Sequence, residues 1–488
     1  MSGKFRGWSV LLGLLLCVLP LTVRAQLRIV TWNISKYNGG KQSDIQTAVY
    51  ATFNGRSLAP DIIICQEFMS STAVNDFRVA LNTAPGSPGD WAAAAFVNGP
   101  DTDSAFFYRT SKVRLLQQWV VSAGSSSSSG HPRHLMRYDI ELKGYINAPP
   151  RIACYSTHMK AGSTSTDQMR RRIEAERIRA NAETLPPDYS FIVAGDFNIP
   201  GASEAAYVEL VSSRSNNRGR CFDPVNSPGN WNNNFSFRFL HTQDPAIQMD
   251  DRFDQILVSA DLIDGNGLDY IGNPNFPFST FTWNDPNHSY RTWGNDGGSY
   301  NTVLRTTGNT MVGPAIAQAL INLADGSGHL PVYLELRLPH PLVVIAGSIN
   351  LPGSASLAQP LTFEFRPTSG APPFTRNVTL SPSGAFTFAD IPVGDYTLAV
   401  KGARWLRQTV PVHATQNNVT GITLTLPAGD ANNDNAVDVL DLDILIGAFD
   451  SAEGDPTWSS GADFNCDGSI DVLDLDLLVQ FFDQLGES

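Results

Sequence analysis

Phe191-Ile-Val-Ala-Gly-Asp-Phe-Asn198 decides the reading of this chain. An apolar run of strand length meets a glycine, a carboxylate and an amide, so a buried strand ends there in a loop that presents polar groups. The two-residue spacing puts Asp196 and Asn198 on the same side of that strand. Working outward, the arrangement recurs: Leu27–Val30 leads into Thr31-Trp-Asn33, Ile62–Cys65 into Gln66-Glu67, and Ile152–Tyr155 into Ser156-Thr-His158. Phe106–Tyr108, Phe253–Val258 and Pro331–Leu336 are further short apolar runs, the last two beside Arg252-Phe-Asp-Gln255 and His329-Leu-Pro-Val332. Strands alternating with loops and helical stretches make an α/β pattern. Ser165-x-x-Gln168 reads as a capping box that starts a helix, with Met169, Ile173 and Ala180 on one face.

At 488 residues the chain is long enough for several domains, and 42% hydrophobic against 17% charged residues gives it material for real cores. The net charge of −13 is local, because residues 428 to 488 hold 15 of the 47 acids and none of the 34 bases. The body is close to neutral, which excludes a chain that binds nucleic acid by bulk basic charge. Lys4 and Arg6, an apolar run from Trp8 to Leu21, and Val23-Arg24-Ala25 before Gln26 read as a secretory signal peptide over residues 1–25. A secreted or cell-surface protein is expected, with Cys65 and Cys154 as buried thiols rather than parts of a disulfide framework.

Pro339-His340-Pro341 closes the α/β unit, placed at 26–338. Beyond it, period-2 segments such as Leu361-Thr-Phe-Glu-Phe365, Ala385-Phe-Thr-Phe388 and Tyr396-Thr-Leu-Ala-Val400 read as a small all-β sandwich over 343–427. With Asp390-Ile-Pro-Val-Gly-Asp-Tyr396 as its turn before a late strand, this unit resembles the carboxypeptidase-regulatory or prealbumin-like sandwiches, which implies a spacer or adhesion module. Residues 428–488 contain an internal repeat with a 33-residue period. Each twelve-residue loop places oxygen ligands at positions 1, 3, 5, 9 and 12: Asp430, Asn432, Asp434, Asp438 and Asp441, then Asp463, Asn465, Asp467, Asp471 and Asp474. Such a hard, multi-oxygen set suits calcium, one ion per loop. Aspartate at position 12, and one helix after each loop from Leu442 and from Leu475, resemble type I dockerins, which implies a cohesin-like partner.

Taken together and in this order, Thr31-Trp-Asn33, Gln66-Glu67, Gly195-Asp-Phe-Asn198 and His329-Leu-Pro-Val332 resemble the endonuclease/exonuclease/phosphatase superfamily over residues 27–336. That resemblance implies a DNase I-like four-layer α/β sandwich and a hydrolase of phosphoric esters. It implies Glu67 and Asn33 as the site of Mg2+ or Mn2+, and Asp196 as the group that activates water. Asn198 and Asn33 become phosphate contacts, Asp254 and His329 a coupled pair, His158 a second catalytic histidine and Arg133 a phosphate-contacting arginine. The family usually has Ser-Asp-His before Leu-Pro-Val, whereas this chain has Ser327-Gly328-His329, with Asp325 as the nearby acid that would substitute.

The leading expectation is an exported metal-dependent phosphodiesterase acting on DNA, or on RNA. A sphingomyelinase-like phospholipase C is the alternative, motivated by the aromatic segment Tyr270, Phe276, Phe278, Phe281, Trp283, Tyr290, Trp293 and Tyr300, which would contact a membrane. A catalytically impaired surface-binding protein is the third reading, motivated by Gly328 and the two accessory units.

Overall fold

The structure is a computed structural model that describes residues 26–145, 148–339, 341–414 and 417–488. The signal-peptide expectation concerns residues 1–25 and lies outside them. In chain order the α/β unit runs β1 (Gln26–Tyr37), α1 (Gln42–Tyr50), β2 (Ile62–Phe68), α2 (Ser71–Thr83), β3 (Trp91–Ala93) and β4 (Asp103–Arg109). It continues β5 (Val113–Ser122), β6 (Leu135–Leu142), β7 (Arg151–His158), α3 (Ser165–Ala182), β8 (Tyr189–Asp196), α4 (Ala205–Val211) and β9 (Asp254–Val258). It closes with β10 (Asp269–Tyr270), β11 (Arg291–Thr292), α5 (Gly313–Ala324) and β12 (Val332–Arg337).

One sheet has the order β10-β12-β1-β2-β4-β3, with β11 on β12; the other is β5-β6-β7-β8-β9. Strand alternation sends Leu27, Ile29, Ile62, Ile64 and Phe106 of the first sheet against Ile152, Cys154, Ile192, Ala194 and Ile256 of the second. The opposite face of the first sheet, with Val30, Trp32, Ile63 and Phe107, is covered by α1, α2 and the very apolar α5. The outer face of the second, with Ala153, Tyr155, Phe191 and Val193, is covered by α3 and α4. The layers are therefore helix, sheet, sheet, helix, the DNase I-like sandwich that the motifs imply. Cys65 and Cys154 are buried free thiols.

Two local expectations are corrected. The capping box of α3 is one residue earlier, Thr164 with Asp167. Its buried face carries Ala175, Ile178 and Ala182 together with Arg171, Glu174 and Arg179, while Met169 and Ala180 are exposed. Those charges tolerate burial because each has partners. Arg171 forms a two-pronged pair with Glu204 at 2.6 and 2.8 Å, Arg179 donates to the carbonyls of Glu209 and Ser212, and Glu174 accepts from the Thr157 hydroxyl.

The sandwich comprises β13 (Leu342–Asn350), β14 (Pro360–Pro367), β15 (Phe374–Thr379), β16 (Ala385–Pro392), β17 (Gly394–Gly402), β18 (Trp405–Ala414) and β19 (Val419–Thr425). They form two sheets, β16-β13-β19 and β15-β14-β17-β18. The repeat contributes α6 (Val439–Ala448) and α7 (Val472–Phe481). Both helices begin inside their loops rather than at Leu442 and Leu475, because Asp438 and Asp471 cap them and Asp441 and Asp474 complete the capping boxes. Sandwich and repeat share one hydrophobic core, in which Leu351, Trp405 and Leu406 join Leu426, Ala428, Val437, Leu445 and Leu478. No helix among the described residues is long and apolar enough to cross a membrane.

A continuous core predicts joint unfolding. Scanning calorimetry of the full chain in calcium should show one transition for the sandwich and the repeat together; a separate transition for residues 428–488 would contradict the shared core.

Candidate functional site

Strand register assembles the site. His158 of β7 lies beside Asp196 of β8, and Asp196 lies opposite Asp254 of β9, so three polar groups occupy one rung of the second sheet. Gly195 makes this close approach possible: with φ at 149°, a Cβ there would stand 1.8 Å from the Thr157 carbonyl oxygen. In the first sheet Asn33 is the last regular partner of β2, opposite Gln66. Beyond it both strands leave the ladder, with Ser35, Lys36 and Glu67 at positive φ. This strained backbone turns the Glu67 carboxylate back toward Asn33, where its Oε2 accepts from the Lys36 amide at 2.9 Å. β12 is antiparallel to β1, so His329, just before β12, arrives at the same level, its amide donating to the Asn33 carbonyl.

Asp196 Oδ2 is the meeting point. Asn33 Nδ2 lies 3.1 Å from it, His158 Nε2 3.3 Å and His329 Nδ1 3.9 Å. Asn33 Nδ2 also lies 3.2 Å from Glu67 Oε1, and His158 Nε2 lies 3.8 Å from that same oxygen. His329 Nδ1 donates to Asp254 Oδ2 at 2.6 Å. Behind these groups Thr31, Gln66, Ser104 and Ser156 form a buried hydrogen-bonded chain that ties the two sheets together.

Electrostatics divides the histidines. Burial disfavours the charged form of His329, but the Asp254 and Asp196 carboxylates, the hydrogen bond to Asp254 and the nearby Asp244 outweigh it and raise its pKa to about 10. His158 is pushed well below 6.5 by burial, then by Arg133 and His329. At neutral pH one ring is imidazolium and the other neutral, with the neutral ring's Nε2 facing carboxylates and its Nδ1 buried without a partner. Burial and the neighbouring Asp254 raise Asp196 to about 6, against the opposing pull of His329, Arg133 and the Asn198 amide.

The structure brings Asn33, Glu67, His158, Asp196, Asp254 and His329 together and places three residues otherwise than expected. Asn198 lies past the end of β8 with φ at 50°, not on the strand beside Asp196. There its amide hydrogen-bonds the Met159 carbonyl, and its backbone N–H donates to Asp196. The Arg133 guanidinium is held by Thr102, Asp101 and the carbonyls of His158 and Met159, so it braces the end of β7. Asp325 caps α5 and pairs with Lys41 while remaining largely exposed, so it does not replace an acid at position 328. Asp244 is the contributor that sequence reasoning misses. It acts on His329 from a loop, with Oδ1 buried and unpartnered, and no motif marks it.

The residues fit a divalent cation through their charge. Glu67, Asp196 and Asp254 converge with one imidazolium to offset them, which leaves an excess of negative charge that a divalent cation would offset. Among the described residues no group of three or more His, Cys, Asp or Glu is set to enclose an ion. In the repeat, Asp430 is fully buried with Oδ1 unpartnered, and burial raises the pKa of both Asp441 and Asp474. An all-oxygen set with an orphaned buried carboxylate oxygen suits Ca2+. Val439, Leu440, Val472 and Leu473 at the starts of α6 and α7 are all more than half exposed and repeat with the same period.

Residues 428–483 match the dockerin type I domain family. No curated protein sequence matches the chain. Among solved structures, a type II cohesin-X-dockerin complex mutant from Acetivibrio cellulolyticus is 21% identical, covering 30% of this chain and 97% of that one with a TM-score of 0.26. An endonuclease/exonuclease/phosphatase family protein from Bacteroides thetaiotaomicron is 16% identical, covering 64% and 95%, with a TM-score of 0.35. Beta toxin from Staphylococcus aureus is 12% identical, covering 63% and 99%, with a TM-score of 0.36.

Gly328 does not occupy the left-handed region; its constraint is crowding. A Cβ there would lie 2.7 Å from both Cα and O of Ala324, backbone atoms of α5. Gly328→Asp should therefore destabilise the protein by about 1–3 kcal/mol, the usual range for overpacking, and should not lower the magnesium needed for half-maximal activity. Urea unfolding together with a metal titration checks this; tighter metal use at full stability would overturn it.

Proposed function

We propose that residues 26–338 form an exported, divalent-metal-dependent phosphodiesterase whose substrate is nucleic acid, DNA foremost. The observation that carries this reading is the convergence on Asp196 Oδ2 of groups from separated motifs on both sheets, Asn33, His158 and His329. Hydrolysis of a phosphodiester needs neutralised non-bridging oxygens, an oriented water and a cation or acid near the leaving oxygen. A bound Mg2+ or Mn2+, held by Glu67 and Asn33, supplies the neutralising charge. Asp196 orients and deprotonates the attacking water, a role suited to a carboxylate raised to about 6 by burial. His329 is kept charged by Asp254, whose bond to Nδ1 leaves Nε2 for the substrate's oxygen. His158, neutral, donates a hydrogen bond without adding charge. One N–H of the Asn198 amide is committed to Met159, which leaves the other for a phosphate oxygen.

The phospholipase reading keeps only part of its support, because Tyr270, Phe278, Tyr290 and Trp293 are buried in the domain and short strands of this segment pair with β12, which leaves Phe276 and Phe281 as its exposed aromatics. An impaired site is disfavoured, since both histidines and all three carboxylates stand in hydrogen-bonding or ion-pairing range. The tail is read as a calcium-binding docking module for a cohesin-type partner, with the apolar residues at the helix starts as its contact surface.

Purified mature protein assayed on DNA, RNA, sphingomyelin and phosphomonoesters should cleave DNA with magnesium or manganese and lose activity with chelator. Asp196→Ala and His329→Ala should each lower turnover by about two to four decades, the scale of a lost acid, base or orienting group. Circular dichroism establishes that the variants are folded, and wild-type-like turnover in either would sink the assignment.

A further inference from the structure

The turn where the end of β17 passes into β18, Lys401-Gly-Ala-Arg404, reaches both loops of the repeat. Lys401 Nζ donates to Asp430 Oδ2 at 2.7 Å and to Asn433 Oδ1 at 2.7 Å, and also bonds the carbonyls of Gly402 and Trp405. Its side chain is 16% exposed and that of Asp430 is 0% exposed, so the pair is shielded from solvent screening. Three residues on, Arg404 Nη1 donates to the Asp463 carbonyl and lies 3.8 Å from Asp463 Oδ2. The Arg404 carbonyl accepts from the amides of Gly429 and Asp430. Asp430 and Asp463 are position 1 of the first and second loops. One short turn of the sandwich thus holds the first aspartate of each loop, on the oxygen that leaves Asp430 Oδ1 buried and unpartnered.

We propose that this turn is a latch that couples calcium binding in both loops to the stability of the sandwich, with Lys401 and Arg404 as positioning residues for the two first aspartates. The proposal rests on the calcium reading given above. Charge makes the case: the 61 residues from 428 hold 15 acids and no base, so the cations nearest the loops have to come from elsewhere in the chain, and Lys401 and Arg404 supply them. A carboxylate fixed through one oxygen presents the other in a defined direction, which favours a metal over a freely rotating group. By linkage, an ion that needs the latched aspartates stabilises whatever holds them.

Hydrogen exchange read by mass spectrometry on the full chain tests this, with calcium alone as the ligand and magnesium plus chelator as the reference. At calcium one hundred times its Kd, peptides covering 394–414 should exchange about a hundredfold more slowly for each coupled ion, while peptides of the α/β unit stay unchanged. In Lys401→Met, and independently in Arg404→Met, that gain should shrink by about tenfold, the worth of one charge-assisted hydrogen bond. Calcium binding seen by calorimetry without slower exchange in 394–414 of the native chain overturns the latch and leaves the calcium reading standing. No calcium binding overturns both. The native-chain comparison needs no variant, so a substitution that fails to fold leaves the test intact; a folded Lys401→Met chain with the full gain removes Lys401 from the proposal.

Discussion

The rung that sets His158, Asp196 and Asp254 side by side is the constraint on which the polar end of the first domain depends. It exists because β7 runs parallel to β8 while β9 runs antiparallel, and because residue 195 has no side chain to hold the first two apart. From that rung Asp196 reaches across the seam between the sheets to Asn33, whose carbonyl in turn holds the His329 amide. A shift of β8 by one residue would turn Asp196 to the opposite face and separate all of these groups together. The site is thus a consequence of sheet register more than of loop shape.

How much of this was legible follows from what kind of signal each feature leaves. Strand termini are readable because an apolar run meeting a polar group marks where a strand gives way to a loop, and the residues so marked at 33, 67, 158, 196, 254 and 329 lie together in the structure. Asn198 was not legible, since the two-residue period fails once pairing stops and its backbone turns left-handed. Nor was the buried face of α3, where Arg171, Glu174 and Arg179 look like solvent-facing charges until their partners from α4 and β7 are known. Aromatic residues between 270 and 300 carry no local sign of whether they face a membrane or a core. Those that are buried, Tyr270, Phe278, Tyr290 and Trp293, belong to a segment that pairs with β12, which is distant in the chain, while Phe276 and Phe281 stay exposed.

The same limit applies at the C-terminal end. A break in composition after residue 338 is plain, and the acidic repeat looks like a further independent unit. Yet Val437, Leu445 and Leu478 complete the core of the sandwich, and the sandwich's cations complete the surroundings of the acidic loops. A unit of 61 residues buries too small a share of its surface to be more than marginally stable alone, and that size is the physical sign that it needs a neighbour. That sign is quantitative rather than patterned, which is why motif reading passes over it.

The two histidines show how one residue type is given two jobs by charge alone. Both are buried, and burial by itself would make both neutral. His329 is bonded to Asp254, with Asp196 and Asp244 nearby, and the three carboxylates overcome desolvation. His158 also faces carboxylates, but Arg133 beneath its carbonyl and the imidazolium of His329 act in the same direction as burial. A charged His329 therefore helps to keep His158 neutral, since two imidazolium rings sharing one carboxylate would repel each other. Asp196 therefore lies between one positive donor and one neutral donor, an asymmetry set by the neighbouring charges rather than by residue type.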